Sequence, residues 1–305
     1  MTTPQADDTL LYFAYGSNLN AADWARYCAG IGVAAEGMQA VAPAVLPDMQ
    51  LCFDYYARSR RGGALDLRPQ RGQLVHGMLF RVSAQGWAAL DRKEGAPHCY
   101  RRVRRVALMA DGSRVEVLTY EVCDAMRQDF CPPTADYERI VAEGLQAWGL
   151  PVDGLADAVA DRAPRGGIAH LFVYGTLLRG EANAGLIPAA SIRAVQPAWV
   201  AGSLYDTGQG YPALKWQAGS QRRVRGECLH LADLPELLPA LDELEGFGGY
   251  DDPAPLYHRT LIALQPENGE PCRAWCYIGA REAMFRVAIE QGCWRTHRGR
   301  GSLAG

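Results

Sequence analysis

Lysine is almost absent from this chain of 305 residues, in which Lys93 and Lys215 are the two lysines among 31 basic residues. Arginine therefore fills nearly every basic position. Acidic residues number 34, so the formal net charge is only −3, and each half of the chain is close to neutral by itself. A nucleic-acid-binding domain carries a basic excess on one face. The balanced charge therefore predicts no nucleic-acid partner, and we interpret the arginine runs at 58–61 and 101–105 as solvated surface.

Long apolar runs and paired cysteines are missing as well. No apolar run reaches the roughly 18 residues that a membrane-spanning helix needs, and the first residues lack the basic start of a signal peptide. The nine cysteines are an odd number without a Cys-x-x-Cys pair, and the histidines are scattered singly. We therefore expect a cytoplasmic protein with reduced thiols, no membrane contact, no metal site and no cofactor. Nothing in the sequence indicates the oligomeric state.

Several catalytic signatures are also absent. The chain has no His-Glu-x-x-His, no Gly-x-x-x-x-Gly-Lys and no Gly-x-Gly-x-x-Gly opening a helix. These absences argue against a zinc protease, a phosphate-loop enzyme and a dinucleotide-binding enzyme.

A pair of short motifs is present in duplicate. An apolar run ends in Tyr15-Gly-Ser-Asn-Leu19, and a second run ends in Tyr174-Gly-Thr-Leu177. Each is followed by a Leu-Asp-x-x-Glu-Gly motif, whose acidic residues are Glu94 and Glu245. Further landmarks keep the same order in both halves: a glycine before an apolar segment, then two tyrosines 20 residues apart. Repetition in a fixed order indicates two homologous domains rather than chance.

The domain organisation follows from this duplication. We predict a first domain at 1–155, a linker at 156–167 and a second domain at 168–305. Helical and strand patterns are mixed without regular alternation, which favours a strand-rich α+β fold. Predicted strands include 9–14, 49–53, 75–82, 103–109 and 115–122 in the first half, and 170–174, 224–231, 257–264 and 272–278 in the second.

Each motif suggests chemistry only in combination with the other. A strand that enters a tight turn and then a helix exposes backbone N–H groups, which can bind a carboxylate or an oxyanion. A glutamate at a helix end before glycine is ordinary by itself. One carboxylate facing a donor-rich loop, however, is the minimum set for proton transfer during acyl chemistry. Their repeated pairing therefore indicates a site in each half.

The combined motifs resemble the gamma-glutamylcyclotransferase superfamily. The first half is similar to gamma-glutamylcyclotransferase itself, and the second half to the AIG2-like and gamma-glutamylamine cyclotransferase branch. The resemblance implies two tandem domains, each a mixed β-barrel flanked by helices. It also implies an enzyme of the carbon–nitrogen lyase or acyltransferase type. The α-amine of a γ-glutamyl substrate attacks its own γ-carbonyl and releases 5-oxoproline and an amine or amino acid.

The resemblance further implies the roles of individual residues. Glu94 and Glu245 are the expected general acid/base residues, and the partner is a small γ-glutamyl molecule. The expected substrate-binding residues are Tyr15, Gly16, Ser17, Asn18, Leu19, Tyr100 and Tyr137 in the first half, and Tyr174, Gly175, Thr176 and Leu177 in the second.

The second half departs from the pattern by an insertion at 247–255, which could reshape its pocket, and by lacking a counterpart of the helix that bears Tyr137.

Two alternatives stay open on these residues. A tailoring cyclotransferase that removes a γ-glutamyl protecting group in a biosynthetic pathway would use the same side chains. A protein of another class would bind a small metabolite in one or both domains without turnover.

Overall fold

The computed structural model describes residues 10–165 and 167–301. The chain divides into two compact units, with the division between Gly167 and Ile168 and the short segment 110–113 grouped with the second unit. Among the described residues, none of the helices has the length and apolarity required to cross a membrane.

The first unit is a closed barrel of five strands in the order β1-β3-β2-β4-β5. Strand β1 is parallel to β5 and every other pairing in the barrel is antiparallel, so the barrel is mixed. The strands are β1 (Leu11–Ala14), β2 (Met38–Ala57), β3 (Gly62–Val82), β4 (Tyr100–Met109) and β5 (Arg114–Val122). The helices are α1 (Ala21–Ile31), α2 (Ala84–Glu94), α3 (Ala135–Ala147) and α4 (Asp153–Val159).

The second unit repeats this topology. Its strands are β6 (His170–Val173), β7 (Ile192–Asp206), β8 (Pro212–Trp216), β9 (Arg223–Leu231), β10 (Tyr257–Pro266), β11 (Cys272–Gly279) and β12 (Val287–Ala288), and its helices are α5 (Leu234–Leu244) and α6 (Trp294–Gly301). Strands β6-β9-β7-β10-β11 form the circle, which closes by parallel pairing of β11 with β6. Strands β8 and β12 pair with β7 outside the circle. The predicted α+β fold of two tandem mixed barrels with flanking helices is therefore confirmed.

Local capping positions both glutamates at helix ends. Gly95 follows α2 with φ 63° and Gly246 follows Glu245 with φ 57°, a left-handed conformation that glycine adopts at little cost. Glu94 is the last residue of α2, and Glu245 comes directly after α5. The helix stop thus explains why glycine follows glutamate in both motifs.

The long hairpin of β2 and β3 differs from the prediction, which contained only 49–53 and 75–82 in this region. Pro43 and Pro47 lie within β2, where sequence rules argue against a strand interior. Shifts of register between Ala40 and Ala42 and between Pro47 and Met49 accommodate them. Strand β7 was not predicted at all.

The predicted linker at 156–167 begins too early. Residues 156–159 belong to α4, whose Leu155 and Ala158 are buried in the first hydrophobic core. The apolar spacing of a seven-residue helix is too short to stand out from a linker in sequence.

One close contact recurs in both barrels. A glycine on β3 lies against a phenylalanine ring of β1 in the first barrel, and a glycine on β9 lies against a phenylalanine ring of β6 in the second. A Cβ added at Gly77 would lie 2.3 Å from the carbonyl oxygen of Ala14 and 2.4 Å from Cζ of Phe13. At Gly226 the matching distances are 2.3 Å to Val173 O and 2.5 Å to Phe172 Cζ.

We predict that Gly77→Ala and Gly226→Ala each lower the unfolding free energy by about 1–3 kcal/mol, because backbone and ring must shift to admit the methyl group. Urea unfolding measures the change. Gly30→Ala is the control: it lies exposed in α1, its Cβ would meet nothing within 4 Å, and a gain of up to about 1 kcal/mol is expected. Wild-type stability in Gly226→Ala would contradict the packing argument.

Candidate active site

In the first unit, Glu94 lies directly against the glycine-bearing loop. The loop makes a single helical turn at Ser17–Leu19 directly after β1, and its side chains are buried. The Asn18 side-chain amide donates to Glu94 Oε1 at 2.8 Å and to the Tyr12 hydroxyl oxygen at 2.9 Å. The carboxyl group is therefore held directly against the loop.

A charged network surrounds this carboxyl group. Lys93 Nζ donates to Asn18 Oδ1 at 2.7 Å and pairs with Asp23 Oδ2 at 3.0 Å, and the lysine side chain is only 8% exposed. Arg60 also pairs with Asp23, at 2.8 Å, and its guanidinium lies 3.4 Å from Ser17 Oγ. Two cations and two carboxyl groups thus meet at the loop.

The network balances opposing effects on the titratable groups. Burial raises the pKa of Glu94, while the charge of Lys93 and the hydrogen bond from Asn18 oppose the rise. Burial lowers the pKa of Lys93, and Asp23 and Glu94 oppose that change. Burial also acts to raise the pKa of Asp23, but the hydrogen bond from Arg60 and the charge of Lys93 prevail and lower it.

Tyr137 and Tyr100 both bond to the backbone of Leu65 on β3. The hydroxyl oxygen of Tyr137 accepts from Leu65 N at 3.4 Å, and a Cβ at Gly16 would lie 3.8 Å from it. The guanidinium carbon of Arg60 stands 5.2 Å from the centre of the Tyr137 ring. The Tyr100 hydroxyl donates to Leu65 O at 2.8 Å. Both rings therefore position the strand that faces the loop.

Two predicted binding residues have structural partners. The Tyr15 hydroxyl donates to Tyr120 O at 2.8 Å, and the ring is buried. The Leu19 side chain is 1% exposed, and its carbonyl oxygen accepts from the Trp148 indole at 3.0 Å. Their side chains anchor the loop to the core, whereas binding of a ligand by the loop backbone stays a prediction.

In the second unit, the predicted residues line one cavity of about 320 Å³, which includes Tyr174, Gly175, Thr176, Leu177 and Glu245. Asn183, Tyr211, Tyr257 and Tyr277 contribute further polar groups to its wall. Leu256 also lines the cavity, but none of the residues 247–255 is among its lining residues. Within the described chain, the insertion therefore does not form the wall of this pocket.

Glu245 has a different electrostatic environment from Glu94. Leu177 and Leu244 occupy the motif positions that Asn18 and Lys93 hold in the first unit. Burial raises the pKa of Glu245 to about 8. The second site is thus a carboxylic acid in a largely apolar cavity.

The hydrogen bonds that frame the second cavity repeat those of the first. Tyr174 donates to Tyr277 O at 2.8 Å, as Tyr15 does to Tyr120. Tyr257 donates to Pro212 O at 2.6 Å, as Tyr100 does to Leu65. Asn183 adds a bond of 3.0 Å from its side-chain amide to Thr176 Oγ1.

The aspartate of each Leu-Asp-x-x-Glu-Gly motif ties the glutamate-bearing helix to its barrel. Asp91 accepts from Tyr120 Oη at 2.7 Å and from Arg102 at 2.8 and 2.6 Å.

In the second unit, Asp242 accepts from Tyr277 Oη at 2.7 Å and pairs with Arg259 at 3.4 Å. Arg259 is fully buried against the rings of Phe247 and Trp275.

Sequence reasoning missed the charged partners of Glu94. Arg60 was interpreted as solvated surface, but it lies at the loop because Asp23 pairs with it. Lys93 carried a signal that was not used: it is one of two lysines in a chain that otherwise uses arginine.

Comparisons with known proteins identify the family of the chain. The family model described as "Gamma-glutamyl cyclotransferase, AIG2-like" matches residues 12–139 and 171–296, so the chain belongs to this family of enzymes. A curated relative, the gamma-L-glutamyl-butirosin B gamma-glutamyl cyclotransferase of Niallia circulans, is 33% identical over 129 residues, which are 42% of this chain and 77% of the relative.

Two solved structures are similar in part. A gamma-glutamyl cyclotransferase is 21% identical with a TM-score of 0.43, covering 51% of this chain and 89% of that chain. An AIG2-like protein from Mus musculus is 27% identical with a TM-score of 0.32, covering 40% of this chain and 86% of that chain.

The raised pKa of Glu245 predicts how stability depends on pH. The folded unit binds a proton at Glu245 more tightly than the unfolded chain does, so the contribution of Glu245 to the unfolding free energy should be largest below about pH 4.5 and be lost as pH rises to about 8. With about 1.4 kcal/mol for each tenfold change in proton affinity, the loss is on the order of 4 kcal/mol. The variant Glu245→Gln should not show this pH-dependent loss of unfolding free energy.

Urea unfolding at pH 5 and pH 9 measures this difference. Glu243→Gln, which removes an exposed acid two positions earlier in the chain, is the matched control and should keep the wild-type pH dependence. An unchanged pH dependence in Glu245→Gln would show that the carboxyl group is not destabilised by burial.

Proposed function

We propose that both units catalyse γ-glutamyl cyclotransfer, with Glu94 and Glu245 as general acid/base residues. The observation that carries this proposal is that each unit holds a carboxyl group of raised pKa against the glycine-bearing loop after its first barrel strand. Membership of the gamma-glutamyl cyclotransferase family supports the reaction class.

The reaction requires one proton carrier and little else. The α-amine nitrogen forms a bond to the γ-carbonyl carbon, and the bond from that carbon to the leaving nitrogen breaks. The glutamate takes one proton from the α-ammonium group and delivers it to the leaving nitrogen. As the carbon–nitrogen bond breaks, it takes the second proton from the ring nitrogen, and this proton passes to the released amine. Because nucleophile and electrophile belong to one molecule, the site has only to select the folded-back conformer.

The acidity of Glu245 suits this task. An α-amino group in a peptide has a pKa near 8, and that of Glu245 is also about 8. Proton transfer between groups of similar pKa has a small free-energy cost, which is the condition for efficient acid–base catalysis. In an apolar cavity, the neutral pair of amine and carboxylic acid is also favoured over the ion pair.

The loops are proposed to hold the glutamyl portion of the substrate. The first N–H groups of a short turn have no carbonyl partner within that turn, so those at Gly16–Asn18 and Gly175–Leu177 can receive the α-carboxylate or the developing oxyanion. The N–H group of Leu19 instead donates to Gly16 O at 3.0 Å. In the first unit, the guanidinium of Arg60 lies close enough to Ser17 Oγ to assist with a carboxylate.

The contrast between the sites supports a division of substrates. The first site contains Lys93 and Arg60, cations that favour leaving groups with a carboxylate of their own, such as amino acids. Glu245 is the acidic residue in a cavity wall that is otherwise apolar or neutral. At about 320 Å³ the cavity lies at the small end of ligand sites. We therefore assign γ-glutamyl amino acids to the first unit and γ-glutamylamines to the second.

Single and double glutamine variants test the catalytic assignment. Glu94→Gln should lower 5-oxoproline release from γ-glutamyl amino acids by about 10²–10⁴-fold, the usual contribution of a general base. Glu245→Gln should do the same for γ-glutamylamines. In Glu94→Gln, the remaining kcat/KM should rise as the pH approaches about 8, because Glu245 must lose its proton to act as a base.

Glu243→Gln, an exposed change outside either site, is expected to keep wild-type rates. Full activity in the double variant would remove both glutamates from the mechanism. Thermal stabilisation of wild type by a γ-glutamyl compound without any 5-oxoproline would instead support a non-catalytic binding protein.

A tailoring role is the second candidate function, and the 33% identity to the butirosin enzyme favours it. That relative is named for a γ-glutamyl-acylated natural product, so the amine released here would be a biosynthetic intermediate rather than an amino acid.

A substrate panel separates the two roles. It contains γ-glutamyl amino acids, γ-glutamylamines, glutathione and γ-L-glutamyl-butirosin B, and each Gln variant is assayed for 5-oxoproline. The highest kcat/KM for γ-L-glutamyl-butirosin B would establish the tailoring role. Equal rates for amino acid and amine substrates in both single variants would contradict the proposed division of substrates.

A further inference from the structure

Within the second barrel, a group of sulfur and nitrogen ligands lies away from the candidate active site. His170 begins β6, Cys228 lies on β9 and Cys272 begins β11. One ligand atom from each, an imidazole nitrogen or a thiol sulfur, lies within 4.8 Å of the other two. The three side chains line a cavity of about 160 Å³, and the thiols of Cys228 and Cys272 are in contact with each other.

The cluster occupies the opposite end of the barrel from Glu245. His170 is the first residue of β6, whereas the loop at Tyr174 follows the last residue of that strand. Cys272 is likewise at the start of β11, whose later residue Tyr277 reaches the active-site cavity. The cluster is therefore separate from the proposed catalytic machinery.

The first barrel indicates that the fold does not require these residues. Counted from the paired landmarks of the two copies, His170 corresponds to Leu11, Cys228 to Leu79 and Cys272 to Val115. The pairing of Phe172 with Cys228 matches that of Phe13 with Leu79. The same barrel end is thus closed by aliphatic side chains in one copy and carries two thiols and an imidazole in the other.

We propose that His170, Cys228 and Cys272 bind a divalent zinc ion that ties together strands β6, β9 and β11. Thiolate and imidazole are the ligands that zinc prefers. Two sulfurs on a tetrahedral zinc lie about 3.8 Å apart, given Zn–S bonds of about 2.3 Å, so the ligand atoms need to close by about 1 Å at most. The sequence predicted no metal site because the ligands come from three distant strands without a Cys-x-x-Cys pair.

A further imidazole is available for the fourth position. His230 also lines this cavity, and its ring stacks on that of His170 with the centroids 4.9 Å apart. It is exposed, so rotation of the ring can bring a nitrogen toward the ion. A water molecule would complete the tetrahedron otherwise.

A second group of possible ligands in the first barrel lacks this character. Cys52, Asp54 and Asp66 also lie close together, but arginines already neutralise the carboxylates. Arg68 pairs with Asp54 at 2.8 Å and Arg127 with Asp66 at 3.0 Å. No zinc ion is assigned there.

Zinc and cobalt titrations of the reduced, chelator-treated full chain test the proposal. Wild type should bind one Zn²⁺ in competition with a chromophoric chelator, and Co²⁺ should give a thiolate charge-transfer band and the visible bands of a tetrahedral site. His170→Leu and Cys272→Val, which introduce the residues of the first copy, should weaken binding at least about 100-fold, since changes outside the ligand set alone cost about 10–100-fold.

Cys131→Ser, which removes a thiol from the first unit, should bind zinc as wild type does. Cys272→Ser repeats the test if the valine variant does not fold. Zinc should also raise the unfolding temperature of wild type and the control but not of the ligand variants. Zinc binding by wild type no tighter than by His170→Leu would overturn the proposal. So would a disulfide between Cys228 and Cys272 in air-exposed protein that, once reduced, binds no metal.

Discussion

Each candidate catalytic glutamate follows an aspartate three residues earlier in the same motif that anchors its helix. Asp91 and Asp242 accept a hydrogen bond from a tyrosine of the barrel wall and pair with an arginine from the neighbouring strand. Hydrogen bonds to a charged group contribute about 1.5–3 kcal/mol each. They fix the helix end, and glycine then stops the helix, so the glutamate projects toward the loop. In the first unit, the hydrogen bond from Asn18 then holds the carboxyl group against the loop.

The same scaffold supports two different electrostatic environments. The framing bonds of Tyr15 and Tyr174 are equivalent, yet Glu94 lies among Asn18, Lys93 and further charges, whereas Glu245 lines a cavity whose other side chains are uncharged. Burial raises the pKa of both carboxyl groups. The charge of Lys93 opposes this rise at Glu94, whereas the pKa of Glu245 reaches about 8. The two units therefore share the geometry that positions the glutamate. They differ in the surroundings that set the pKa of this glutamate and, by our proposal, its catalytic role and the substrate of the unit.

Local signals explain what the sequence predicted, and long-range contacts explain what it did not predict. The loops, the glutamates and their glycines were predictable because each is a short contiguous motif that repeats. The ion pairs of Asp23 with Lys93 and Arg60 join residues 70 and 37 positions apart, and no periodicity encodes them. The length of β2 was hidden by Pro43 and Pro47, which the register shifts absorb. The cluster of His170, Cys228 and Cys272 could not be predicted from the sequence either, because only the closure of the barrel brings its three strands together.

The central claim is that each unit has its own site in which a glutamate faces the loop. A crystal structure with 5-oxoproline soaked at high concentration tests it most directly. The account predicts the product in both candidate sites. Its ring nitrogen should lie within hydrogen-bond distance of Glu94 in one unit and of Glu245 in the other, and its oxygen atoms should lie at the loop N–H groups. Product bound away from both glutamates, or contacting neither loop, would contradict the account.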